Sequence, residues 1–188
     1  MKKHISALFA VILAVNALAA DIPASVLALH SSDENTEYDI TESKVMPKLN
    51  KTITREGKML FQAPDDLRID FTEPAGDYTL ITKDIFEVKK NGKVQHFNIK
   101  NPTHKMSIYR ATLLCCLAGK VEEAARLNDA TAEYKEAGGK YVCTIKADKA
   151  IGREIEELLL EYDRKTGKLL LMKITEGNGN YTEYKVSK

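Results

Sequence analysis

The chain has 188 residues and a nearly balanced charge, with 28 Lys and Arg side chains against 27 Asp and Glu. This length suits a single domain. A balanced surface lacks the basic footprint that nucleic-acid binding requires, so we expect no nucleic-acid partner. No run of Lys or Arg predicts binding to an anionic membrane surface.

The first twenty residues, MKKHISALFAVILAVNALAA, have the pattern of a cleaved secretory signal peptide. Two lysines precede an apolar run from Ile5 to Val15, and Ala17-Leu18-Ala19 offers the small residues that signal peptidase recognises. The run is shorter than the roughly 20 residues of a membrane span, which makes a membrane anchor the less favoured alternative. We expect residues 1–20 to be removed and one domain, residues 21–188, to function outside the cytoplasm.

The segment APDDLRIDFTEP predicts a β-strand with one apolar face and one polar face. Leu67, Ile69 and Phe71 alternate with polar residues, as expected for a half-buried strand. A proline near each end marks positions where a missing N–H donor does little harm. Arg68 is expected on the outer face, paired with Asp70 or with a neighbouring strand.

A short helix and further antiparallel strands are predicted around this segment. Asn91-Gly92 is the strongest hairpin signal, because a type I′ turn needs positive φ at both positions. The helix is predicted over residues 22–30, and strands over 38–62 (interrupted at Pro47), 78–82, 85–89 and 94–99.

Between Thr103 and Leu127 the apolar residues no longer alternate as in a strand but follow the spacing of a helix. The central sequence ATLLCCLA is apolar all round, and such a helix must be covered on every side. Gly119 is expected to separate it from a second, amphipathic helix with the sequence KVEEAARL.

The last sixty residues predict a meander of strands: a hairpin around Ala137-Gly138-Gly139, then EIEELLLEYD, KLLLMKIT and NYTEYKV. The first of the three also has helical propensity, but the regular turn spacing favours a strand. One face is then apolar and the other mostly charged, which is typical of an antiparallel sheet exposed on one side. The apolar face is predicted to carry Leu158, Leu160, Tyr162, Leu170, Met172, Ile174, Tyr184 and Val186, and the charged face also holds Leu159, Leu169 and Leu171.

The sequence offers little for catalysis. Cys115, Cys116 and Cys143 are too few for a disulfide framework, although one bridge to Cys143 is the alternative to three buried thiols. A zinc site built from these thiols and His104 has no support from local spacing. With no nucleophile motif or phosphate-binding loop, we expect neither enzymatic activity nor a cofactor or metal.

The stretch GKMLFQAPDDLRIDFTEPAGDYTLIT resembles the LolA family of periplasmic lipoprotein carriers. The family pattern of a glycine, a proline, a hydrophobic–arginine–aromatic step and a second proline falls here on Gly57, Pro64, Leu67-Arg68-Ile69 and Pro74. The helical insertion and the closing meander fit the same family, so that the resemblance covers about residues 36–186.

The resemblance implies an α+β fold, an incomplete and curved antiparallel barrel with a short helical insertion as lid or plug. It also implies a periplasmic carrier, expected to be monomeric, that shields the acyl chains of lipoproteins or another lipid. The implied partners are an inner-membrane ABC exporter and an outer-membrane receptor. The predicted cavity residues are Leu60, Leu67, Ile69, Phe71, Leu80, Met106, Leu113, Leu114, Leu117, Leu160, Leu170, Met172 and Ile174, with Arg68 as a rim or partner contact.

Two departures affect the implied lid. Some carriers have an arginine before the first proline, where this chain has Ala63, and an aromatic residue where it has Ile69. Two alternatives to the carrier stay open: a half-barrel sensor that binds a protein partner through its rim or sheet edge, and a filled module in which the helix simply plugs the sheet.

Overall fold

The computed structural model describes residues 22–30, 35–62, 64–151 and 155–187, so the predicted signal peptide and Ala63 lie outside the described residues. Helix α1 (Ile22–His30) precedes six strands: β1 (Asn35–Met46), β2 (Lys51–Gln62), β3 (Asp66–Phe71), β4 (Tyr78–Ile81), β5 (Phe86–Lys90) and β6 (Lys93–His96). Helices α2 (Lys105–Leu117) and α3 (Val121–Leu127) follow, and then β7 (Ala130–Ala137), β8 (Lys140–Ile151), β9 (Ile155–Asp163), β10 (Leu169–Thr175) and β11 (Tyr181–Ser187).

The eleven strands form one antiparallel sheet in the order β6-β5-β4-β3-β2-β1-β11-β10-β9-β8-β7. Consecutive strands pair with each other except β6 and β7, and β1 also pairs with β11, which joins the two meanders into one sheet. Strands β6 and β7 are left as edges, and the sheet is curved but not closed. The predicted α+β half-barrel with a helical insertion is confirmed.

Helix α2 lies within the segment that the sequence predicts to be helical, and it begins two residues after Thr103. The His104 Nδ1 atom accepts a hydrogen bond from the backbone N–H of Met106 at 3.3 Å and so caps the first turn. The helix ends before Gly119, and α3 starts two residues later. Leu114, Cys116 and Leu117 are buried, as an all-apolar helix requires. None of the helices in the described ranges has the length and apolar character needed to cross a membrane.

The alternation predicted for β3 is confirmed. Leu67, Ile69 and Phe71 are buried in the core, while Arg68 and Asp70 are exposed. The Arg68 guanidinium donates two hydrogen bonds to the Asp70 carboxylate, at 2.6 and 2.7 Å. Because both side chains are about half exposed, this pair contributes little to stability.

The register corrects three of the predicted cavity residues. Leu60 and Leu80 are both direct cross-strand partners of Arg68, and direct partners share a face, so both leucines lie on the outer face. In β10, a register shift between Leu169 and Leu171 pairs Leu169 with Tyr162. Leu169 is therefore the buried residue, and Leu170 lies at the bulge and is half-buried.

The three cysteines are free thiols. Cys116 and Cys143 are buried and Cys115 is half-buried. Burial, together with nearby Glu123, raises the pKa of Cys115 to about 11, and burial raises the pKa of Cys143 to about 12. All three are therefore poor nucleophiles near neutral pH, since the thiolate is the reactive form.

Gly57 is required by a close approach between β2 and β3. A Cβ atom at this position would lie 2.4 Å from the Asp70 carbonyl oxygen, which belongs to the backbone and cannot swing away. We expect Gly57→Ala to lower the free energy of unfolding by about 2 kcal/mol, as overpacking does. Urea unfolding should show a lower midpoint with an unchanged slope. Thr52→Ala, an exposed position on the same strand, is the matched control and should change stability by less than about 0.5 kcal/mol. Equal stability of the two variants would contradict the close approach.

We also expect the cysteines to resist alkylation in the folded protein. At pH 8 a thiol with a pKa of about 11 is ionised in roughly one molecule in a thousand. Iodoacetamide at pH 8 should therefore label the native protein slowly. In denaturant without reductant it should add three labels by intact mass. A single label under those conditions would reveal a disulfide in place of free thiols.

Candidate functional site

The concave face of the sheet and helix α2 enclose a cavity of about 530 Å³. This volume falls within the range of roughly 300–1,000 Å³ that is usual for small-molecule pockets. Twelve of the residues that line it are apolar: Met59, Leu67, Ile69, Phe86, Val88, Phe97, Met106, Leu113, Leu117, Ile155, Met172 and Ile174. The remaining six are Thr79, Tyr109, Glu176, Asn178, Thr182 and Tyr184.

Both meanders contribute to the wall through residues in register. Met59 pairs with Ile69 and Ile69 with Thr79 on one side of the sheet, and Met172 pairs with Tyr184 on the other. Helix α2 lies over both. Met59, Met106 and Met172 all line the cavity, and methionine side chains adapt readily to ligands of irregular shape.

The structure brings seven of the thirteen predicted cavity residues together at this wall: Leu67, Ile69, Met106, Leu113, Leu117, Met172 and Ile174. Phe71, Leu114 and Leu160 are buried in the core but do not line the cavity. Leu60 and Leu80 lie on the outer face, Leu170 lies at the bulge, and Arg68 is exposed outside, as described above.

Several lining residues were absent from the predicted set. Tyr109 shares the helical spacing of Met106, Leu113 and Leu117, and that spacing was sufficient to find it. Met59, Phe86 and Val88 lie within predicted strands, and their inward direction follows only from the register. Phe97 lies within the predicted strand 94–99, but the observed strand β6 ends one residue before it.

Helix α2 is attached to the sheet by polar contacts at its middle and at its end. In the middle of the helix, Arg110 Nε donates a hydrogen bond to the carbonyl oxygen of Thr82 at 2.8 Å, and its Nη2 atom lies 3.8 Å from the Asp65 carboxylate. At its end, the buried Tyr162 hydroxyl donates to the carbonyl oxygen of Cys116 at 2.7 Å. The ion pair joins the helix to Asp65, in the turn after Pro64.

One end of the cavity is aromatic. The Phe86 and Phe97 rings have centroids 4.8 Å apart, and the Phe86 ring stacks on Tyr109 of α2 at 6.2 Å. Phe86 is only 4% exposed. This end of the lining is therefore aromatic and apolar.

The opposite end is polar and reaches solvent. Glu176 and Asn178 belong to the turn between β10 and β11, and Thr182 follows at the start of β11. Lys44 is the direct cross-strand partner of Thr182 and so lies on the same face. Its Nζ atom is 3.5 Å from the Glu176 carboxylate, and both side chains are partly exposed. This end presents one positive and one negative group.

A charged network is buried in the concave face next to the cavity. The Arg55 guanidinium donates to Glu42 Oε1 from Nε at 2.9 Å and from Nη2 at 2.6 Å. It lies 3.6 Å from the Phe71 ring centroid, and its Nη1 atom is 3.7 Å from Asp77. Such a network is stable only because each charge has a partner.

Tyr184 connects this network to the cavity wall. Burial and the neighbouring Glu42, to which its hydroxyl is hydrogen-bonded, raise the pKa of Tyr184 well above its usual value. The phenol therefore stays neutral and donates a hydrogen bond to the Glu42 carboxylate. Its oxygen remains able to accept a hydrogen bond inside the cavity. Among the described residues, no group of three or more His, Cys, Asp and Glu side chains is arranged to hold a metal ion.

We expect substitutions of two basic residues of β2 to lower the free energy of unfolding by different amounts. Arg55→Met leaves Glu42 buried without its partner, and should lower the free energy of unfolding by about 3–5 kcal/mol. Lys58→Met removes an exposed lysine paired with Asp39 and should cost less than about 1 kcal/mol. Chemical denaturation of both variants checks this. A stable Arg55→Met protein would show that the network is not required for folding.

No family model matches the sequence, and no curated protein matches it. A LolA superfamily protein from Nitrosomonas europaea aligns over 90% of this chain and 91% of its own, with 8% identity and a TM-score of 0.42. A putative outer membrane lipoprotein-sorting protein domain from Vibrio parahaemolyticus aligns over 90% of both chains, with 11% identity and a TM-score of 0.46. A structure of the MucA/MucB complex of Pseudomonas aeruginosa aligns over 89% of this chain and 56% of the matched one, with 11% identity and a TM-score of 0.43.

Proposed function

We propose that the protein is a periplasmic carrier that holds the acyl part of a lipid or lipoprotein in the cavity beneath α2. The observation that carries this proposal is the cavity itself. A concave sheet face and an apolar helix leave about 530 Å³ between them, with twelve apolar side chains around it. An apolar cavity of this kind favours an apolar guest over water.

The expected energetics suit reversible carriage. Transfer of a methylene group out of water is worth about 0.8 kcal/mol, so that a chain of 16 carbons gains roughly 12 kcal/mol in the cavity. Association costs about 4–15 kcal/mol in lost freedom of motion. The net gain is then at most about 8 kcal/mol, which corresponds to a Kd of about 1 μM or weaker and allows a carrier to release its cargo to a membrane or to a receptor.

Helix α2 is the element best placed to act as a lid. It contributes four residues to the cavity wall, Met106, Tyr109, Leu113 and Leu117. Its attachment to the rim through Arg110 consists of one hydrogen bond and one long ion pair, both at the protein surface or partly buried. Opening of the lid requires this contact and the hydrogen bond from Tyr162 to Cys116 to break.

The direction of transport and the partners follow from the sequence resemblance. It implies loading by an inner-membrane ABC exporter and delivery to an outer-membrane receptor, with transfer governed by relative hydrophobic affinity. The signal-peptide pattern supports a periplasmic location. Arg68, exposed on the outer face of β3, is a candidate contact for either partner.

A protein-binding module is the second candidate, and one observation favours it. Strand β6 lies at an edge of the sheet with all four of its residues exposed, and Val94 is 46% exposed. An exposed edge is a ready template for a strand from another protein. Such a module would bind its partner without extracting acyl chains.

Native mass spectrometry of the protein purified gently from periplasm, followed by organic extraction, separates the two candidates. Phospholipid or acylated peptide released on denaturation supports the carrier. A lipid-free protein that also fails to take up a fluorescent fatty acid would overturn the carrier and leave the protein-binding module.

Met106→Glu tests the cavity as the lipid site. The side chain is half-buried, lines the cavity and lies in the first turn of α2, where a carboxylate favours the helix. The helix should therefore persist while the charge opposes an apolar guest. We expect fluorescent fatty acid to bind at least about tenfold more weakly, a loss of about 1.4 kcal/mol.

Val94→Glu is the matched control, because it makes the same kind of change on an exposed residue that does not line the cavity. It should bind fatty acid as the unmodified protein does. Equal loss in both variants, or no loss in Met106→Glu with unchanged circular dichroism, would remove the cavity from the proposal.

A further inference from the structure

Strand β6 presents unpaired backbone groups along one side. It pairs with β5 and with no other described strand. In an antiparallel pair, hydrogen-bonded positions alternate with positions whose N–H and C=O groups point away from the partner strand. The Phe97 N–H donates to the Phe86 carbonyl oxygen at 2.8 Å, so these two residues occupy a hydrogen-bonded position. By alternation, the N–H and C=O groups of His96 and Val94 point away from β5 and are available to a further strand.

The side chains at this edge are accessible as well. Val94 is 46% exposed. His96 lies on the outer face of the sheet, because its Nδ1 atom is 2.8 Å from the carboxylate of Glu87, its direct cross-strand partner. Val94 shares that face, since it precedes His96 by two residues. A strand added at this edge would cover Val94 and gain cross-strand contacts with it.

The region around β6 is basic. Residues 83–105, which contain β5, β6 and the loop before α2, hold only two acidic side chains, Asp84 and Glu87. The same range holds six lysines: Lys83, Lys89, Lys90, Lys93, Lys100 and Lys105. Lys90, Lys93 and Lys100 are exposed and form no ion pair with the residues that the structure describes. The whole chain has a net charge of only +1, so the positive field is local to this edge, where it attracts an acidic segment and repels a basic one.

This charge limits which strands can pair with β6. Lysines on an edge strand commonly prevent sheets from associating edge to edge. A second copy of β6 would bring the same lysines and be repelled. The other edge strand, β7, balances Glu133 and Glu136 with Lys135, so that β7 of a second copy is attracted only weakly. A strand rich in Asp and Glu meets no such obstacle.

We propose that β6 is the docking edge for an extended acidic segment of a partner protein, which adds to the sheet as a further antiparallel or parallel strand. Its backbone pairs with Val94 and His96, an apolar side chain lies beside Val94, and acidic residues face Lys93 and Lys100. The inference rests on the protein-binding candidate described above and specifies the partner that this candidate leaves open.

The test is a titration of ¹⁵N-labelled protein with capped peptides, followed through its backbone amide resonances. The peptide ETVEVTE should bind saturably at low ionic strength. The largest shifts are expected at the amides of Val94 and His96, and a smaller one at Gln95, whose N–H already faces β5. The peptide KTVKVTK should bind at least about tenfold more weakly, because it has the charge of the edge itself.

N-methylation separates strand addition from attraction between charges, and it uses the unmodified protein. Two forms of ETVEVTE are methylated on alternate residues, one form in each phase. Alternate N–H groups of a strand point to opposite sides, so that only one phase places its methyl groups against β6. That form should bind at least about tenfold more weakly than ETVEVTE, while the other form should keep its affinity.

Variants of the edge test the residues. Val94→Pro removes an outward N–H without removing a hydrogen bond to β5, as an edge strand tolerates, and should abolish binding of ETVEVTE while circular dichroism is unchanged. Lys93→Glu and Lys100→Glu should each weaken binding by about two- to threefold, as for one exposed ion pair. Lys135→Glu is the matched control, because it makes the same change on an exposed residue of the other edge strand, β7. It should leave the affinity unchanged.

Several outcomes would overturn the inference. Equal binding of ETVEVTE and KTVKVTK would remove the acidic partner and leave a protein-binding edge. Retained binding by both methylated forms, or amide shifts away from β6, would remove strand addition at this place. Self-association that Val94→Pro abolishes would assign the edge to a second copy of the chain. Co-sedimentation with phosphatidylglycerol vesicles in the absence of peptide binding would assign it to a membrane.

Uptake of fluorescent fatty acid, measured on the same samples, keeps this inference apart from the carrier function. Val94 does not line the cavity, so Val94→Pro should take up fatty acid as the unmodified protein does. Normal uptake without peptide binding would overturn the inference and the protein-binding candidate, but not the carrier. Peptide binding without uptake would overturn the carrier alone.

Discussion

The structure depends on one geometric constraint, the mismatch between a large concave face and a small cover. An eleven-stranded sheet that curves without closing exposes a wide apolar face, and the helix above it has 13 residues. Small closed barrels fill their interior with their own side chains, whereas wider ones leave space for a ligand. Here the open sheet behaves as a wide barrel. The cavity beneath α2 results from this mismatch.

The buried Glu42–Arg55 pair serves a different constraint, the register between β1 and β2. These two residues are direct cross-strand partners on the concave face, where burial of charge is expensive. A slip of one residue would turn one of the two charges toward the opposite face and separate the pair. The pair thus favours the observed register over its neighbours, although a well-packed apolar pair would cost less to bury.

The sequence predicts the elements of this fold well because their signals are local. Alternation identified β3, the pair Asn91-Gly92 identified the β5–β6 hairpin, and both central residues of that turn have positive φ. The change from strand-like to helix-like spacing of apolar residues at Thr103 located α2. The resemblance of one strand–proline segment to the LolA family then supplied the half-barrel, which no local pattern specifies.

The remaining features depend on contacts between distant residues. Met59-Leu60-Phe61 and Leu169-Leu170-Leu171 are runs of consecutive apolar residues, so that alternation cannot say which member faces inward. Register and a bulge decide this, and both arise only when the strands pair. The existence of a cavity is still harder to predict from the sequence. It depends on the volume that remains when the sheet, α2 and their side chains are packed together.

The pairing of β1 with β11 has a consequence for how the chain reaches this fold. Asp39 lies opposite Ser187, so the contact that unites the two meanders joins residues from far-apart parts of the sequence. Contacts of this kind form late, because the intervening chain must first lose its freedom. During synthesis or export, each meander can form on its own, but the half-barrel exists only after β11 has emerged. Until then β1 presents a bare edge, and the nascent chain is most prone to mispairing at that strand.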